Sequence, residues 1–387
     1  MAPPEAIDLK TEPAAIAVAP NRPAVFLAWA REGAPYLGRT ALLRRRLLRL
    51  LREPTGPSRR LSLAGVAERI EYWPTASRLE SSILFYRLAR EHYPETYLKL
   101  ANLRPPPYLR VTLANQFPRT QITTRLGGAR SFHYGPFRSR AAAAEFESKC
   151  LDLFQVRRCQ EDLEPSPAHP GCIYGEMNMC LRPCQTVVGV EEYRSEAGRL
   201  TEFLSSGGKS LLVTIAAARD RLSEELNFEE AASQHTRYEK VQQVLRLRDE
   251  LASDIDRLNG VAVTGSVDPE AVELWFLARG AWLEPRRFAL AAPGAEIVSI
   301  DRRLRQIVEA MEVAKPTARE RQEHLALLAR WYYSSWRDGE WIAFDDFKTI
   351  PYRRLVNAIH RAGKPGTVSC APRARITSGG RTHSNSC

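Results

Sequence analysis

No apolar run in the 387 residues approaches the roughly 20 that a membrane-spanning helix requires. The start offers no basic flank leading into an apolar block. Met1 to Pro23 is instead rich in Pro and Ala, which predicts a flexible leader rather than a signal peptide. Cysteine is sparse, seven in the chain, which excludes a disulfide-dense mini-protein. There is no internal repeat and no Ser-His-Asp signature. Ser205-Ser206-Gly207-Gly208-Lys209-Ser210 lacks the leading glycine of a phosphate loop, because Phe203 stands at that place. The lone histidines His92, His133, His235, His324 and His360 show no metal spacing with one another.

What is present is an ordinary globular mix. Hydrophobic residues at 44% and charged residues at 26% exclude a wholly disordered or collagen-like chain. The length suits two or three domains, each with its own core. Lys and Arg number 56 against 45 Asp and Glu, and the formal charge of +11 fits an anionic partner such as nucleic acid. No membrane partner is expected, and the expected location is cytoplasmic.

The pattern along the chain predicts an α/β (α+β) fold in several units. Residues 1–22 read as an unstructured leader. Residues 23–102 read as a compact α/β unit. It opens on a hairpin from Val25-Phe26-Leu27-Ala28-Trp29 to Tyr36-Leu37-Gly38 across the Gly33-Ala34-Pro35 turn. A helix follows from about Thr40, with Leu43, Leu47 and Leu51 on one face, and Pro54, Gly56 and Pro57 end it. A second helix is predicted from Ser77 to Glu91, with Ser77 and Glu80 at capping-box spacing. Residues 103–190 are mixed and hold the cysteine cluster. Residues 192–258 are helical by pattern, with Leu226-Asn227-Phe228 as a turn between two antiparallel helices. Residues 260–362 return to α+β, with strands at Val272–Leu277 and Trp341–Phe344. Residues 363–387 read as an unstructured tail.

Cys159, Cys172, Cys180 and Cys184 stand with 12, 7 and 3 residues between them. In a chain without an export signal, such a cluster points to metal rather than disulfides. Four thiolates can close a zinc site or hold an iron–sulfur cluster, and spacing alone leaves the two even. There is no Cys-x-x-Cys hook. Arg157, Arg158 and Arg182 lie beside the thiols and can offset their negative charge. From Arg39 to Arg60 there are eight arginines and one acid, Glu53. With the leucines buried, Arg44, Arg45, Arg49 and Arg52 face outward, which suits contact with a DNA backbone and not base reading.

The order of motifs resembles the N-terminal half of the UvrC family, the nuclease subunits of bacterial excision repair. The residues that carry the resemblance are Phe117-Pro118-Arg119, Tyr134-Gly135-Pro136-Phe137, Phe154-Gln155-Val156-Arg157-Arg158-Cys159 and the three later cysteines. The resemblance implies that Cys159, Cys172, Cys180 and Cys184 bind a [4Fe–4S] cluster, with zinc the runner-up. Leu226-Asn227-Phe228-Glu229-Glu230-Ala231-Ala232 resembles the UVR motif, a helical hairpin that docks on a UvrB-type helicase. Phe228 is then the apolar anchor, with Glu229 and Glu230 as its polar rim. Gln234-His235-Thr236 replaces the family's Leu-Arg-Asp in that motif.

The unit at 23–102 resembles a GIY-YIG nuclease domain. Ala24-Val25-Phe26 falls on its first motif, Tyr36-Leu37-Gly38-Arg39 on its second and Leu43-Arg44-Arg45-Arg46 on its Leu-Arg-x-Arg. Tyr36 and Arg44 are the retained catalytic-type residues. Phe26 replaces the expected tyrosine, and Phe85 falls where the family has its metal-binding glutamate. A hard cation needs oxygen ligands, and a phenyl ring offers none. The expectation is therefore a degenerate site that holds a phosphate through Arg39, Arg44, Arg45, Arg46 and Arg49 without cutting, the divalent metal being lost. The family's RNase H-like and helix-hairpin-helix modules are not expected here, except for a lead-in around Leu274–Gly280. Two alternatives stand beside this DNA-binding repair protein. One is an active endonuclease with another metal ligand, such as Glu80. The other is a regulator that docks on the helicase without touching DNA.

Overall fold

The computed structural model describes residues 3–12, 14–53, 61–128, 130–291 and 299–364. The first lobe comprises β1 (Glu5–Asp8), α1 (Ala15–Val18), β2 (Ala24–Ala30), β3 (Tyr36–Thr40), α2 (Leu43–Leu50), β4 (Ala67–Pro74), α3 (Arg78–His92) and α4 (Tyr97–Leu100). Its antiparallel sheet runs β1-β4-β2-β3. The hairpin expected from the Gly-Pro turn is β2–β3, with Phe26 opposite Gly38. Leu43, Leu47 and Leu50 bury one face of α2, whereas Leu51, expected on that face, lies just past the helix end and is half-buried. The Ser77 hydroxyl caps α3 by accepting from the Glu80 amide at 3.0 Å. The Glu80 carboxylate reaches back to the Ala76 amide at 2.7 Å.

The leader departs from expectation. Ile7 stands opposite Ile70 as β1 adds an edge strand to β4, and Ile16 and Ala19 join the core beneath α2. Residues 3–12 and 14–22 therefore carry structure. Three well-placed apolar residues suffice to dock the segment, but they form no periodic run that a sequence pattern can reveal. Arg59, Arg60, the helix-ending Pro54, Gly56 and Pro57, and the tail beyond Lys364 lie outside the described residues.

The second lobe holds β5 (Tyr108–Thr112), β6 (Thr120–Thr123), β7 (Ser131–Gly135), α5 (Arg140–Leu151), α6 (Ile173–Glu176), α7 (Val190–Ser205), α8 (Lys209–Glu224), α9 (Phe228–Arg246) and β8 (Ser253–Asp254). Its sheet order is β6-β5-β7-β8. Strand alternation divides its side chains. Leu109, Val111 and Tyr134 face a core shared with α5, α7 and α9, where the Tyr134 and Phe146 rings stack at 5.6 Å. Tyr108 points the other way.

The third lobe holds β9 (Asn259–Gly265), β10 (Ala271–Ala278), β11 (Ala281–Trp282), β12 (Arg286–Ala289), α10 (Ile300–Glu309), α11 (Ala318–Tyr332), β13 (Glu340–Phe344) and α12 (Tyr352–Ala362). β10 and β13 cover the two expected strands. The run Ala271–Ala278 is buried at every position, as a strand covered on both faces must be. Val261, Val263, Val272, Leu274 and Phe276 face α10 and α12. Ala262, Trp275 and Leu277 face α3 and α11.

That last face joins all three lobes. Leu79, Ile83, Tyr86 and Ala89 of α3 pack with Tyr108, with Leu251, Ile255 and Leu258, and with Leu325, Leu328 and Trp331 of α11. A buried carboxylate sits within it. Glu323 accepts from Tyr86 Oη and Tyr97 Oη, each at 2.5 Å, and from Arg319 Nε at 3.0 Å. Burial pushes its pKa up, but the hydrogen bonds from Tyr86, Tyr97 and Arg319 outweigh burial and hold it below the usual carboxylate value. A depressed folded pKa gives stability that is present above the unfolded pKa and lost as pH falls through the folded one. Glu323→Ala leaves two buried hydroxyls without an acceptor. Urea unfolding at neutral pH should show a loss of about 2–4 kcal/mol. The gap between variant and wild type should shrink in acid.

Candidate functional site

The motif residues of the first lobe gather at β3, the start of α2 and the middle of α3. Phe26 lies in the central strand, fully buried, its ring 6.0 Å from that of Tyr36. A Cβ on Gly38 would run into the Phe26 ring, so the glycine is the cross-strand space that the phenyl group fills. Tyr36 Oη accepts from Arg46 Nη2 at 3.3 Å. Arg39 sets its guanidinium 5.5 Å from the centroid of Phe85. Arg45, Arg49 and Arg52 are exposed.

Arg44 departs from expectation. It is half-buried, and its Nε donates to the carbonyl of Ala19 at 2.7 Å. It ties the leader to α2 rather than facing outward. Tyr36 therefore pairs with Arg46, while the matching arginine of the motif is spent on structure.

Among the described residues no carboxylate bonds or pairs with Tyr36, Arg39 or Arg46. Glu80 faces the third lobe. Burial pushes its pKa up to about 7, the Glu273 carboxylate of β10 adds to the rise, and the Ala76 amide opposes it. Glu273 in turn accepts from Ser266 Oγ and from Arg287 Nε, both at 2.8 Å.

The cysteine segment has little regular structure. Cys180 and Cys184 are buried, Cys159 is half-buried and Cys172 is exposed. Burial raises the Cys180 thiol to about 11, and Cys159, Cys172 and Cys184 all add to that rise. The four sulfurs thus share one electrostatic neighbourhood. Among the described residues, however, no three His, Cys, Asp or Glu side chains close on a single metal ion. Asn178, Arg182 and Thr186 all hold left-handed backbone, with φ of 57°, 54° and 55°. Three such non-glycine residues in one loop carry strain that the surroundings must sustain. Arg157 is fully buried and donates to Cys159 Sγ at 3.3 Å and to the carbonyls of Phe117 and Glu161 at 3.1 and 2.8 Å.

Sequence reasoning missed Tyr193. Its hydroxyl accepts from the Arg157 amide and donates to the Pro118 carbonyl, both at 2.9 Å. One phenol thus binds two motifs that are far apart in the chain, and no local signal marks it. Cys150 is a separate, wholly buried thiol of the second core. Cys370 and Cys387 lie outside the described residues.

The helical pair α8–α9 projects an apolar tip. Leu226 is 73% exposed and Phe228 63%. Glu229 and Glu230 are exposed beside Phe228 in the first turn of α9. Exposed apolar residues in contiguity are the usual mark of an interaction surface.

The UvrC/Cho excinuclease middle domain matches residues 106–203, which cover β5 to β7, α5, the cysteine loop and nearly all of α7. That stretch is similar to the middle domain of UvrC-type proteins. The chain is 28% identical over 262 residues to UvrABC system protein C of Moorella thermoacetica, covering 67% of this chain and 42% of that one. It is 24% identical over 264 residues to the same-named protein of Lachnospira eligens, covering 67% and 43%. Against that of Symbiobacterium thermophilum it is 25% identical over 287 residues, covering 72% and 45%. The chain spans less than half the length of these curated relatives. No solved structure matches it. No helix among the described residues is long and apolar enough to cross a membrane.

The position of Glu80 has a measurable consequence. A carboxylate whose folded pKa is raised contributes stability that is fully present below the unfolded pKa and lost as pH rises through about 7. Glu80→Gln should leave the melting temperature unchanged at about pH 5 and raise it at about pH 8.5.

Proposed function

We propose that this chain is a DNA-binding protein of nucleotide excision repair whose first lobe grips a nucleic-acid strand without cutting it. One observation carries the reading. At the place where a GIY-YIG nuclease holds its metal with a glutamate, this chain has Phe85, and the Arg39 guanidinium lies over that ring. A cation site next to a guanidinium, with no carboxylate paired to Tyr36, Arg39 or Arg46 among the described residues, is the reverse of a divalent metal site. Metal-assisted attack of water on a phosphodiester has no ligand to organise it. Exposed Arg45 and Arg49, with Arg46 beside Tyr36, suit the backbone of a strand.

The helical pair serves as the docking element for a UvrB-like helicase. Phe228 is its anchor and Glu229 and Glu230 its rim, and the exposure of Leu226 and Phe228 supports this reading. A cytoplasmic place of work follows from those two partners.

The second lobe is built to hold an iron–sulfur cluster through Cys159, Cys172, Cys180 and Cys184. The donors are all soft sulfurs, close enough to influence one another. Four such thiolates suit zinc or a polynuclear cluster, and the likeness of the segment to UvrC-type proteins favours the cluster. When bound, the cluster supplies folding free energy to the loop. The chain's own part is to neutralise it, through Arg157 at Cys159, and to pin the loop through Tyr193.

The nuclease reading is tested by incubating the full chain with labelled nicked and branched DNA in magnesium. Binding without cleavage is expected, weakened at least about tenfold in the double variant Arg45→Glu, Arg49→Glu. Magnesium-dependent cutting abolished by Glu80→Ala would refute the dead-site reading. Binding to the helicase with no affinity for DNA would favour a pure regulator. For the cysteines, anaerobically purified protein should be brown with about four irons per chain. The colour should be lost in Cys180→Ser, and colourless protein with one zinc would contradict the cluster.

A further inference from the structure

Arginines at the lobe junctions of this chain are paired with carboxylates. Arg87 meets Glu284 at 2.9 Å, Arg138 meets Asp249 at 2.5 Å and Arg319 meets Glu323 at 3.0 Å. Arg321 pairs with Asp256. Three other arginines at the junction of the first and third lobes break that pattern. Arg39 of β3 lies over Phe85 at 5.5 Å. Arg78, the first residue of α3, lies over Trp336 at 5.0 Å. Arg330 of α11 donates to the carbonyl of Ala101 at 2.8 Å.

None of the three guanidinium groups has a carboxylate partner among the described residues. The Asp338 carboxylate is taken by the Arg78 amide at 2.6 Å and by Trp331 Nε1 at 3.0 Å. Phe85 and Trp336 pack on the same core, so the rings form an apolar floor beneath the charges. Arg39 senses the other two cations. Burial, and then the charges of Arg330 and Arg78, hold the Arg39 pKa below its usual value. Like charges gathered without a counter-ion cost energy in the empty state and stabilise an anion when one arrives.

We propose that Arg39, Arg78 and Arg330 form a composite phosphate receptor across the junction of the first and third lobes, and that it takes a backbone phosphate of a nucleic-acid strand. This deepens the DNA-gripping reading and rests on it for the source of the phosphate. The rings are already covered by guanidinium groups, so the site reads charge and not bases. The strand would run from exposed Arg45 and Arg49 of α2 past Arg39 to α11. The third lobe would then be part of the grip.

The test uses the full chain and a labelled single-stranded oligonucleotide, with affinity read by anisotropy across a salt series. Arg78→Ala removes an exposed side chain, and Arg330→Gln keeps a donor for Ala101. Each should weaken binding about three- to tenfold and lower the slope of log affinity against log salt by about 0.7. Arg302→Ala, a charge loss on α10 at the far face of the third sheet, should change neither. Arg45→Glu with Arg49→Glu reads the DNA-gripping function separately. If that pair abolishes binding while Arg78→Ala and Arg330→Gln leave affinity and slope unchanged, the receptor is refuted and the wider reading stands. Inorganic phosphate, added alone, gives the other arm. If it raises the melting temperature of the wild type and not of Arg78→Ala, while oligonucleotide binding ignores both variants, the receptor holds but its ligand is a free phosphate and not a strand.

Discussion

Helix α3 has two apolar faces to bury, and the arrangement of the first and third lobes follows from that. On one side Leu84 and Leu88 close over Val25 and Leu27 of the first sheet. On the other, Leu79, Ile83, Tyr86 and Ala89 enter the core that α11 and the third sheet complete. A helix packed on two sides leaves only a narrow strip for chemistry. Phe85 stands on that strip, half-buried against both clusters. A carboxylate there would sit at the margin of two apolar cores, where an unpaired charge is costly. An aromatic ring is the stable occupant, and Arg39 covers its outer face. The chemistry proposed for the first lobe thus follows from what α3 must hold together.

The same network explains why the charges are placed as they are. Glu323 is satisfied by two tyrosines and an arginine drawn from two lobes. A buried carboxylate with all its bonds made positions its neighbours closely, because each bond lost leaves a buried group unpaired. In the second lobe, Tyr193 and Arg157 do for the cysteine loop what Glu323 does for the junction. They join segments far apart in sequence to one strained loop and hold its thiols in reach of one another.

Local features were legible before the fold was known. The β2–β3 hairpin was marked by its Gly-Pro turn, α3 by Ser77 and Glu80, the α8–α9 turn by Leu226-Asn227-Phe228, and β10 and β13 by their apolar runs. Each depends on residues close in sequence. What escaped depends on long-range contact. The leader docks through Ile7, Ile16 and Ala19, too few to make a period. Arg44 looked like one more exposed arginine until the leader's carbonyl claimed it. Arg78 and Arg330 lie on helices from different lobes, and only the packing of α3 on α11 brings them toward Arg39. The candidate site's residue list was readable. Its charge balance was not, because that is a property of the assembled junction.

The most direct measurement of the central claim is manganese titration followed by the NMR signals of the Tyr36 ring and the Arg39 and Arg46 side chains. A paramagnetic ion bound at a nuclease centre would broaden them selectively. A face made of Phe85 beneath a guanidinium should show no saturable broadening, with or without bound oligonucleotide. Selective, saturable broadening of Tyr36 that magnesium reverses would mean that an oxygen-ligated cation sits there after all.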